Sequence, residues 1–463
     1  MKFQTYYANS IDALIPELWA NESLMILEEE MVMGNLVYRD FDSAVASYGE
    51  TVHTRKPGEF VGVRKTNAED VTNQDVSATD VAVVLNQHVH VSFIIRDGEQ
   101  TKAFKDLVSL YLLPAMQANA RMLDQSLAGQ AVKFLANTRG GLGQLTSSNA
   151  QEYLINARDL LNQNKAYLDG RNLVLTSNAE AQMLKTDLFV SAERVGDGGR
   201  ALREASLGRK FGFNCFMDLN TPSCSGAVTT STTTKLATVK GATAPGDCLT
   251  AAVGVGTYIT IAGDMTPLRS TTNTTTLVPT RAIREATASG ADVTKYPTAA
   301  VDSAAEVVTA GYVKGWVKAV HIDGGAVPHV GQIVAFNAGD GATGVVRDAE
   351  YVILRVVNTA ASDYDITLDR PLEVAILDDD LVCLGPNGDY NFAFHRNALA
   401  LVNRPLALPL SGSGARAAVA VYNGMAMRVV IQYAGDKQGH RVTVDSLFGV
   451  KELDTALGAV LLG

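Results

Sequence analysis

Few residues of this sequence have the types and spacing that metal chemistry requires. His88 and His90 are separated by one residue, so on a strand both side chains share one face and could chelate a metal ion. A third ligand at matching spacing is missing, and zinc sites use at least three protein ligands. Asp378, Asp379 and Asp380 could recruit a divalent cation, but an acidic triplet at a loop end is more often solvated surface. The sequence therefore predicts no metal site.

The motifs of nucleotide binding and of hydrolysis are also missing. The sequence has no GxxxxGKS or GxxxxGKT phosphate loop, no HExxH and no GxSxG. The glycine-rich segment 196–199 follows no clear strand, so we interpret it as a loop. The four cysteines form no CxxC pair, and we expect free, mostly buried thiols at Cys215, Cys224, Cys248 and Cys383. We predict no catalytic residue and no cofactor. In a chain of 463 residues, this favours a structural protein over an enzyme.

The composition is that of an ordered globular protein, with 47% hydrophobic and 19% charged residues. The formal net charge of −10 argues against a protein that binds nucleic acid through its phosphates. It does not exclude a shell that surrounds nucleic acid without binding it. We find no apolar signal segment after Met1 and no run of about 18 apolar residues that could span a membrane. We therefore expect a soluble protein that is made inside a cell and does not bind membranes.

One long helix is predicted over residues 98–139, and the other elements can be arranged around it. Its apolar residues recur at helical spacing, and Gly140 follows its end. At 1.5 Å per residue such a helix spans about 60 Å. Pro114 lies inside the pattern and must bend or break the helix. A shorter helical pattern occupies residues 11–40.

Residues 49–97 are expected to form a long two-stranded arm. Residues 51–56 and 60–66 form its outgoing side, and residues 81–96 alternate with period two as one returning strand. The tip, residues 67–79, is polar. Such an arm is barely stable alone in water, so we expect it to lie on a surface outside its own subunit. The predicted intersubunit contacts are the arm cations Arg55, Lys56, Arg64 and Lys65 and the acidic cluster Glu28, Glu29 and Glu30 of a neighbouring copy.

The rest of the chain predicts an α/β unit that is interrupted by a β domain. Residues 149–222 mix helical patterns with short buried strands. Residues 223–386 are rich in Thr, Ala, Val and Gly and contain many short alternating runs, which predicts an inserted all-β barrel or sandwich. A helical pattern resumes at residues 394–402, and two long strands follow at 425–433 and 441–447. The predicted fold class is α+β.

These segments resemble the major capsid proteins of tailed double-stranded DNA phages, which have the Hong Kong 97-type fold. The likeness is to the branch that carries an inserted β domain. Four segments carry the resemblance. Ile15–Leu24 with Leu36–Phe41 is similar to the opening arm of that branch, and Leu107–Pro114 is similar to its kinked spine helix. Ala201–Arg209 with Phe211–Phe213 is similar to the signature before the insertion, and Asp445–Lys451 is similar to the closing motif.

The resemblance implies a division of the chain into seven parts. They are an N-terminal arm (1–48), an extended loop (49–97), the spine helix with the peripheral domain (98–148), the first part of an axial domain (149–222), the inserted β domain (223–386), the second part of the axial domain (387–424) and the C-terminal strands of the peripheral domain (425–463).

The function implied by the resemblance is self-assembly into the hexamers and pentamers of an icosahedral head that encloses double-stranded DNA. Its implied partners are further copies of itself, a scaffolding protein, a portal and a decoration protein, and its location is the virion, assembled in the host cytoplasm. Two alternatives stay open. One is the shell of a cellular nanocompartment, and the other is a hydrolase whose β insertion binds a carbohydrate.

Overall fold

The structure, a computed structural model, describes the chain in the following ranges: 19–27, 31–39, 51–56, 62–65, 70, 73, 79–96, 111–191, 203–226, 228, 230–235, 257–261, 264–269, 281, 292–303, 311–324, 326–338, 346–410, 414–422 and 425–463. It divides into two compact units, each built from several stretches of chain. Unit 1 comprises residues 1–26, 38–116 and 399–453, and unit 2 comprises residues 27–37, 117–398 and 454–463.

The helices are short except for one. They are residues 19–27 (α1), Met33–Leu36 (α2), Leu113–Gly129 (α3), Ala150–Gln163 (α4), Ser177–Leu184 (α5) and Asp187–Val190 (α6), with 3₁₀ turns at Gln130–Phe134, Arg396–Ala398 and Thr455–Leu457. Among the described helices, none combines the length and apolar character needed to cross a bilayer.

The long helix predicted over residues 98–139 is wrong at its C-terminal end, and residues 98–110 lie outside the described part. α3 continues only as the 3₁₀ turn to Phe134, and Thr138–Gly140 is a strand that pairs with the end of the chain. Pairing with a distant segment therefore overrides the local helical period. Pro114 is the second residue of α3. A π-type turn at residues 111–112 lies directly before α3.

Unit 1 contains a two-stranded ribbon and a five-stranded sheet. Their strands are β1 (Thr51–Lys56), β2 (Thr79–Val84), β3 (Gln87–Arg96), β20 (Leu399–Arg404), β21 (Ala415–Tyr422), β22 (Met425–Ala434) and β23 (Gly439–Glu452), numbered along the whole chain. The ribbon pairs β1 with β2 in antiparallel register. The sheet has the order β20-β23-β22-β21, with β3 also paired to β23.

The single returning strand predicted over residues 81–96 is wrong, because β2 and β3 are separated by Leu85 and Asn86. β2 pairs with β1, whereas β3 pairs with β23, so the strand breaks where its partner changes. The predicted alternation is confirmed in β3, whose residues 88, 90, 92 and 96 are exposed. Residues 62–65, predicted as part of a strand, are not in one.

The sheet pairing differs from the predicted boundaries near the C-terminus. Residues 394–402 are not helical: strand β19 (Gly388–His395) and β20 are joined by a 3₁₀ turn. β20 and β21, expected with the axial part, pair with β23 and β22 instead. Residues 458–462, expected with the peripheral strands, pair with β19 in unit 2. The remaining domain boundaries stay predictions.

Unit 2 contains a seven-stranded mixed sheet. Its strands are β4 (Thr138–Gly140), β5 (Arg171–Leu175), β6 (Arg209–Lys210), β7 (Phe213–Met217), β8 (Ser223–Cys224), β19 and β24 (Gly458–Leu462). The order is β4-β24-β19-β5-β7-β6, and β8 pairs with β19. All five residues of β5 are buried, which confirms the predicted buried strand at 173–175. The apolar sides of α4 and α5 pack in the same core as β5, with Leu154, Leu161 and Met183 almost fully buried.

The inserted region is all-β in its described part, as predicted. Its strands are β9 (Ser231–Lys235), β10 (Tyr258–Ile261), β11 (Asp264–Arg269), β12 (Asp292–Lys295), β13 (Thr298–Val301), β14 (Val320–Asp323), β15 (Ile333–Asn337), β16 (Val346–Ala360), β17 (Asp363–Leu368) and β18 (Leu381–Leu384). β9 to β12 form a four-stranded sheet, and β13 to β18 close into a six-stranded barrel. The α+β class with an inserted barrel is therefore confirmed.

The barrel is joined to α3 and the turn that follows it. Ser126 Oγ donates to the backbone oxygen of Asp369 at 2.9 Å, and Lys133 Nζ lies 2.8 Å from Glu373 Oε2. A Cβ at Gly129 would overlap Asp369 Oδ2 and lie only 2.6 Å from its Cγ. Gly129 is the last residue of α3 and has helical backbone angles, and glycine at a helical position costs up to about 1 kcal/mol relative to alanine. The close approach of the barrel loop explains why a glycine is found there.

The loop that meets α3 is held by a buried charge network. Asp369 accepts the N–H of Val352 at 2.8 Å and pairs with Arg370 at 2.6 Å. Arg370 also bonds Glu373 at 2.8 Å, and its guanidinium lies 4.7 Å from the Tyr351 ring centre. Burial raises the pKa of Glu373, but the charges of Arg370 and Lys133 outweigh this effect and lower the pKa to about 2. The network therefore keeps Glu373 in its charged form, whereas burial raises the pKa of Asp369 in spite of the neighbouring Arg370.

Candidate intersubunit surface

Two of the four predicted contact cations lie at the far end of the ribbon. β1 runs from Thr51, opposite Val84, to Lys56, opposite Thr79, so Arg55 and Lys56 occupy the end that is farthest from β3 in the chain. Arg64 and Lys65 are exposed. Residues 28–30 lie outside the described part. The contact between these cations and Glu28, Glu29 and Glu30 of a neighbour therefore stays a prediction.

The base of the ribbon is anchored inside its own unit. Val52 and Val83 are buried in one apolar cluster with Leu85, Ala400 and Val402. Gly449 of β23 permits this approach, because a Cβ there would overlap the carbonyl of Val84. The expectation that the whole arm lies on a surface outside its subunit is therefore wrong for its base. Only the segment beyond the base is left for a neighbour.

β3 is also paired within the chain. It bonds β23 along its whole length, from Gln87 opposite Phe448 to Arg96 opposite Gly439. Trp19 of α1 and Tyr111 both stack on Phe93, with ring centres 6.4 and 5.6 Å away. β3, which was expected on an arm that lies outside its own subunit, therefore has a backbone partner within the chain.

The two histidines of β3 are part of this sheet and are not arranged as a metal site. His88 Nε2 lies 3.2 Å from Asp445 Oδ2, and Arg428 donates to both oxygens of the same carboxylate. The rings of His88 and His90 are 6.3 Å apart. In the described ranges, no three His, Cys, Asp or Glu residues are grouped to hold a metal ion.

The acidic triplet builds a turn. Asp378 Oδ1 accepts the backbone N–H and the hydroxyl of Ser303, at 2.7 and 2.9 Å. Asp379 has a positive φ of 61°, and Asp380 accepts the N–H of Leu377 at 2.8 Å. Two of the three carboxylates are therefore used to close the turn.

The described cysteines are free thiols, as predicted, and Cys248 lies outside the described part. Burial raises the pKa of Cys215 to about 11 and that of Cys383 to about 12. Burial also raises the pKa of Cys224. A nucleophilic cysteine needs a lowered pKa, so none of the three has the environment of a reactive thiol.

A buried carboxyl pair in unit 2 was missed by the sequence reasoning. Asp124 of α3 is 1% exposed and accepts the N–H groups of Val32 at 2.7 Å and Gly34 at 2.9 Å. Burial, and then the charge of Asp218, raises the pKa of Asp124 to about 7. One signal was available, because Asp124 lies four residues from both Ala120 and Ala128 and so shares a helix face with apolar residues. The carboxyl fixes the start of α2, as a capping residue does at a helix N-terminus.

No family model and no curated protein matches the chain. Solved phage structures do match it. A structure from Mycobacterium phage Che8 is 13% identical, covers 93% of this chain and 90% of its own, and has a TM-score of 0.44. The capsid structure of cyanophage P-SCSP1u is 9% identical, with 93% and 88% covered and a TM-score of 0.45. The capsid of Myoviridae phage XM1 is 9% identical, with 94% and 90% covered and a TM-score of 0.36.

The predicted resemblance is confirmed in the sense that the solved structures matched over about nine tenths of this chain include phage capsids. At these identities and TM-scores the likeness transfers no function. The functional proposal therefore rests on the architecture of the chain itself.

Proposed function

We propose that this chain is a shell-forming protein, the major capsid protein of a tailed double-stranded DNA phage. The observation that carries the proposal is the order of its elements. A hairpin ribbon precedes a long helix, an α/β sheet is interrupted by a β barrel, and long closing strands complete a second sheet. Each of these parts was expected, in this order, from the resemblance in the sequence. A structural role without catalysis also agrees with the buried, high-pKa thiols.

The ribbon supports a role in assembly. Its base is buried in its own unit, while Arg64 and Lys65, between its two strands in the sequence, are exposed. A segment that extends beyond an anchored base can contact a neighbouring copy without unfolding its own subunit. We propose that Arg55, Lys56, Arg64 and Lys65 make such contacts, each worth about 0–1 kcal/mol at an exposed surface.

In the full proposal the copies form hexamers and pentamers of an icosahedral head that encloses double-stranded DNA. Scaffolding protein, portal and decoration protein are its partners, and the virion, assembled in the host cytoplasm, is its location. The net charge of −10 is consistent with a shell that surrounds DNA without binding it tightly.

Assembly tests the proposal directly. The expressed protein, with its scaffolding partner where one is needed, should form closed shells that are visible by electron microscopy and sediment far ahead of monomer. Nucleic acid inside shells from infected cells would support the phage head, and packaged enzymes would indicate a nanocompartment. Monomer at every concentration and salt, with the scaffolding partner present, would contradict the proposal.

A further inference from the structure

The register of the seven-stranded sheet brings basic residues to one of its ends. His395 of β19 lies opposite Arg171 of β5, and Phe213 of β7 lies opposite Lys210 of β6. β5 and β7 are parallel and in register, so that Arg171 is level with Phe213. One row across four adjacent strands therefore begins with His395 and ends with Lys210.

Further cations flank this row. Arg158 of α4 donates from Nη1 to the backbone oxygen of Phe211, at 2.6 Å, in the turn between β6 and β7. Arg209 precedes Lys210, Arg396 follows His395, and both arginines are exposed. We call this set the basic end; it comprises segments 158–171, 209–212 and 395–396.

The basic end has the opposite sign to the rest of the chain. Its three segments contain six lysines and arginines and two aspartates, a formal charge of +4. The whole chain carries −10, so the remaining residues carry −14. Among the described residues, Arg158, Arg209 and Lys210 have no carboxylate within ion-pairing distance. Asp159, the nearest carboxylate in sequence to Arg158, accepts instead from Gln163 at 2.6 Å.

The basic groups are close enough to affect one another. Burial lowers the pKa of His395, and the charges of Arg171 and Arg396 lower it further. Burial likewise lowers the pKa of Arg171, with a further contribution from Arg158. Arg171 is 2% exposed, and its guanidinium donates to the backbone oxygens of Tyr167 and Ala166 and to Asn162 Oδ1, so a partner does not reach it. The cations that a partner can reach are the exposed Arg158, Lys165, Arg209 and Arg396 and the half-buried Lys210. Their charges leave a local excess of positive charge at this end of the sheet, which an anionic partner would relieve.

We propose that the basic end is a contact surface for the carboxylate-rich surface of a second copy of this chain. The inference rests on the proposed shell-forming function. Acidic subunits repel one another, and contacts between opposite charges reduce that repulsion. The basic end, on a chain with a formal net charge of −10, supplies the positive side of such a contact, and the acidic surface of the neighbouring copy supplies the negative side. The contact is heterologous, because the basic end of one copy faces a different surface of the next.

Charge reversal at the basic end tests the proposal in the full chain. The variant carries Arg209→Glu and Arg396→Glu, two exposed sites outside the core. Its matched control carries Lys314→Glu and Lys318→Glu, the same change in charge at two exposed lysines of the insertion. We expect the yield of shells to fall about tenfold or more for the first variant and less than about twofold for the control. Thermal melting of the unassembled subunits shows that both variants are folded.

Mixing separates a lost contact from a damaged subunit. A folded variant without its basic end still presents its acidic surface, so it can join a growing shell and stop growth at that point. One variant subunit among about five wild-type subunits should therefore lower the yield of complete shells by more than dilution does. A misfolded subunit would stay outside and leave the wild-type yield unchanged.

Three outcomes would overturn the inference. The first is normal assembly of the Arg209→Glu, Arg396→Glu variant. The second is an equal loss in the lysine control, which would make net charge the cause. The third is binding of a DNA duplex of about 30 base pairs that depends on the basic end while assembly does not, which would assign the surface to nucleic acid. Failure of the wild-type chain to assemble at all would contradict the proposed function instead.

Discussion

Replacement of Gly129 by alanine perturbs the contact between α3 and the barrel at a single atom. The added Cβ would overlap Asp369 Oδ2 and lie 2.6 and 2.7 Å from Asp369 Cγ and Cβ. The Asp369 side chain has little room to move, because it is held by the N–H of Val352 and by Arg370. Its backbone oxygen is held by Ser126 of α3 itself. Either the loop retreats from the helix or Asp369 gives up a hydrogen bond.

The expected magnitude follows from these two choices. Overpacking of a well-packed site costs about 1–3 kcal/mol, and a buried group that loses its partner costs about 1–3 kcal/mol. Alanine recovers up to about 1 kcal/mol of helix propensity. We expect Gly129→Ala to lower the free energy of unfolding by roughly 1–2 kcal/mol. For a unit of this size, the melting temperature should fall by roughly 2–6 °C.

Urea unfolding and calorimetry of the unassembled subunit measure this effect. Gly435→Ala is the control, because a Cβ at Gly435 meets no atom within 4 Å, and we expect a change within about 0.5 kcal/mol. A double-mutant cycle with Asp369→Ala isolates the contact. Asp369→Ala is itself destabilising, since it leaves Arg370 without a buried partner. In that background Gly129→Ala should cost less, because the carboxylate is gone and only the contact with the Cβ of residue 369, at 2.7 Å, remains.

Two results would refute this reasoning. Gly129→Ala as stable as the wild-type protein would mean that the helix and the loop do not meet as closely as the structure has them. An equal cost of Gly129→Ala with and without the Asp369 carboxylate would mean that the strain arises elsewhere.

Three further predictions concern the carboxyl groups. The Asp124 pKa is about 7 in the folded chain and 3.8 for an ordinary aspartate, so the free energy of unfolding should decline as pH rises between these values, by on the order of 4 kcal/mol. Asp124→Asn should flatten this pH profile, and Asp218→Asn should shift it to lower pH. Urea unfolding at several pH values measures both effects. The Glu373 pKa is lowered to about 2, so the stability that its charge contributes should be present above about pH 4.5 and lost as pH falls toward 2. Glu373→Gln should lower the free energy of unfolding by about 1–2 kcal/mol at neutral pH after solvent screening is allowed for. An unchanged acid limb of the unfolding profile in this variant would contradict the prediction. Cleavage after the exposed Asp70 by an Asp-directed protease should be about tenfold faster in free subunits than in shells, and equal rates would exclude the ribbon tip from the intersubunit contacts.

The sequence identified those features of the chain that depend on which side chains avoid water. The alternation along β3, the fully apolar strand β5 and the β character of the insertion all follow from periodicity, and the structure confirms them. Periodicity records which face of an element is buried. It does not record which element covers that face, and the errors at residues 138–140 and 81–96 have this origin.

Two elements illustrate the difference. Thr138–Gly140 lies in a segment with helical spacing, yet it forms a strand because the chain end at Val460–Leu462 pairs with it. Residues 81–96 have one continuous alternation, yet they belong to two strands, because β1 pairs with the first part and β23 with the second. Hydrogen-bond partners more than 300 residues away in the chain decided both cases.

The candidate surfaces divide in the same way. The sequence alone pointed to exposed cations on the ribbon, since charge and polarity are local properties. The basic end depends on the register of four strands taken from distant parts of the chain, and the pKa of Asp124 depends on a burial that only packing creates. Local patterns in the chain determine the elements and their faces. Long-range pairing and desolvation, which exist only after folding, determine which charges meet and how strongly they bind protons.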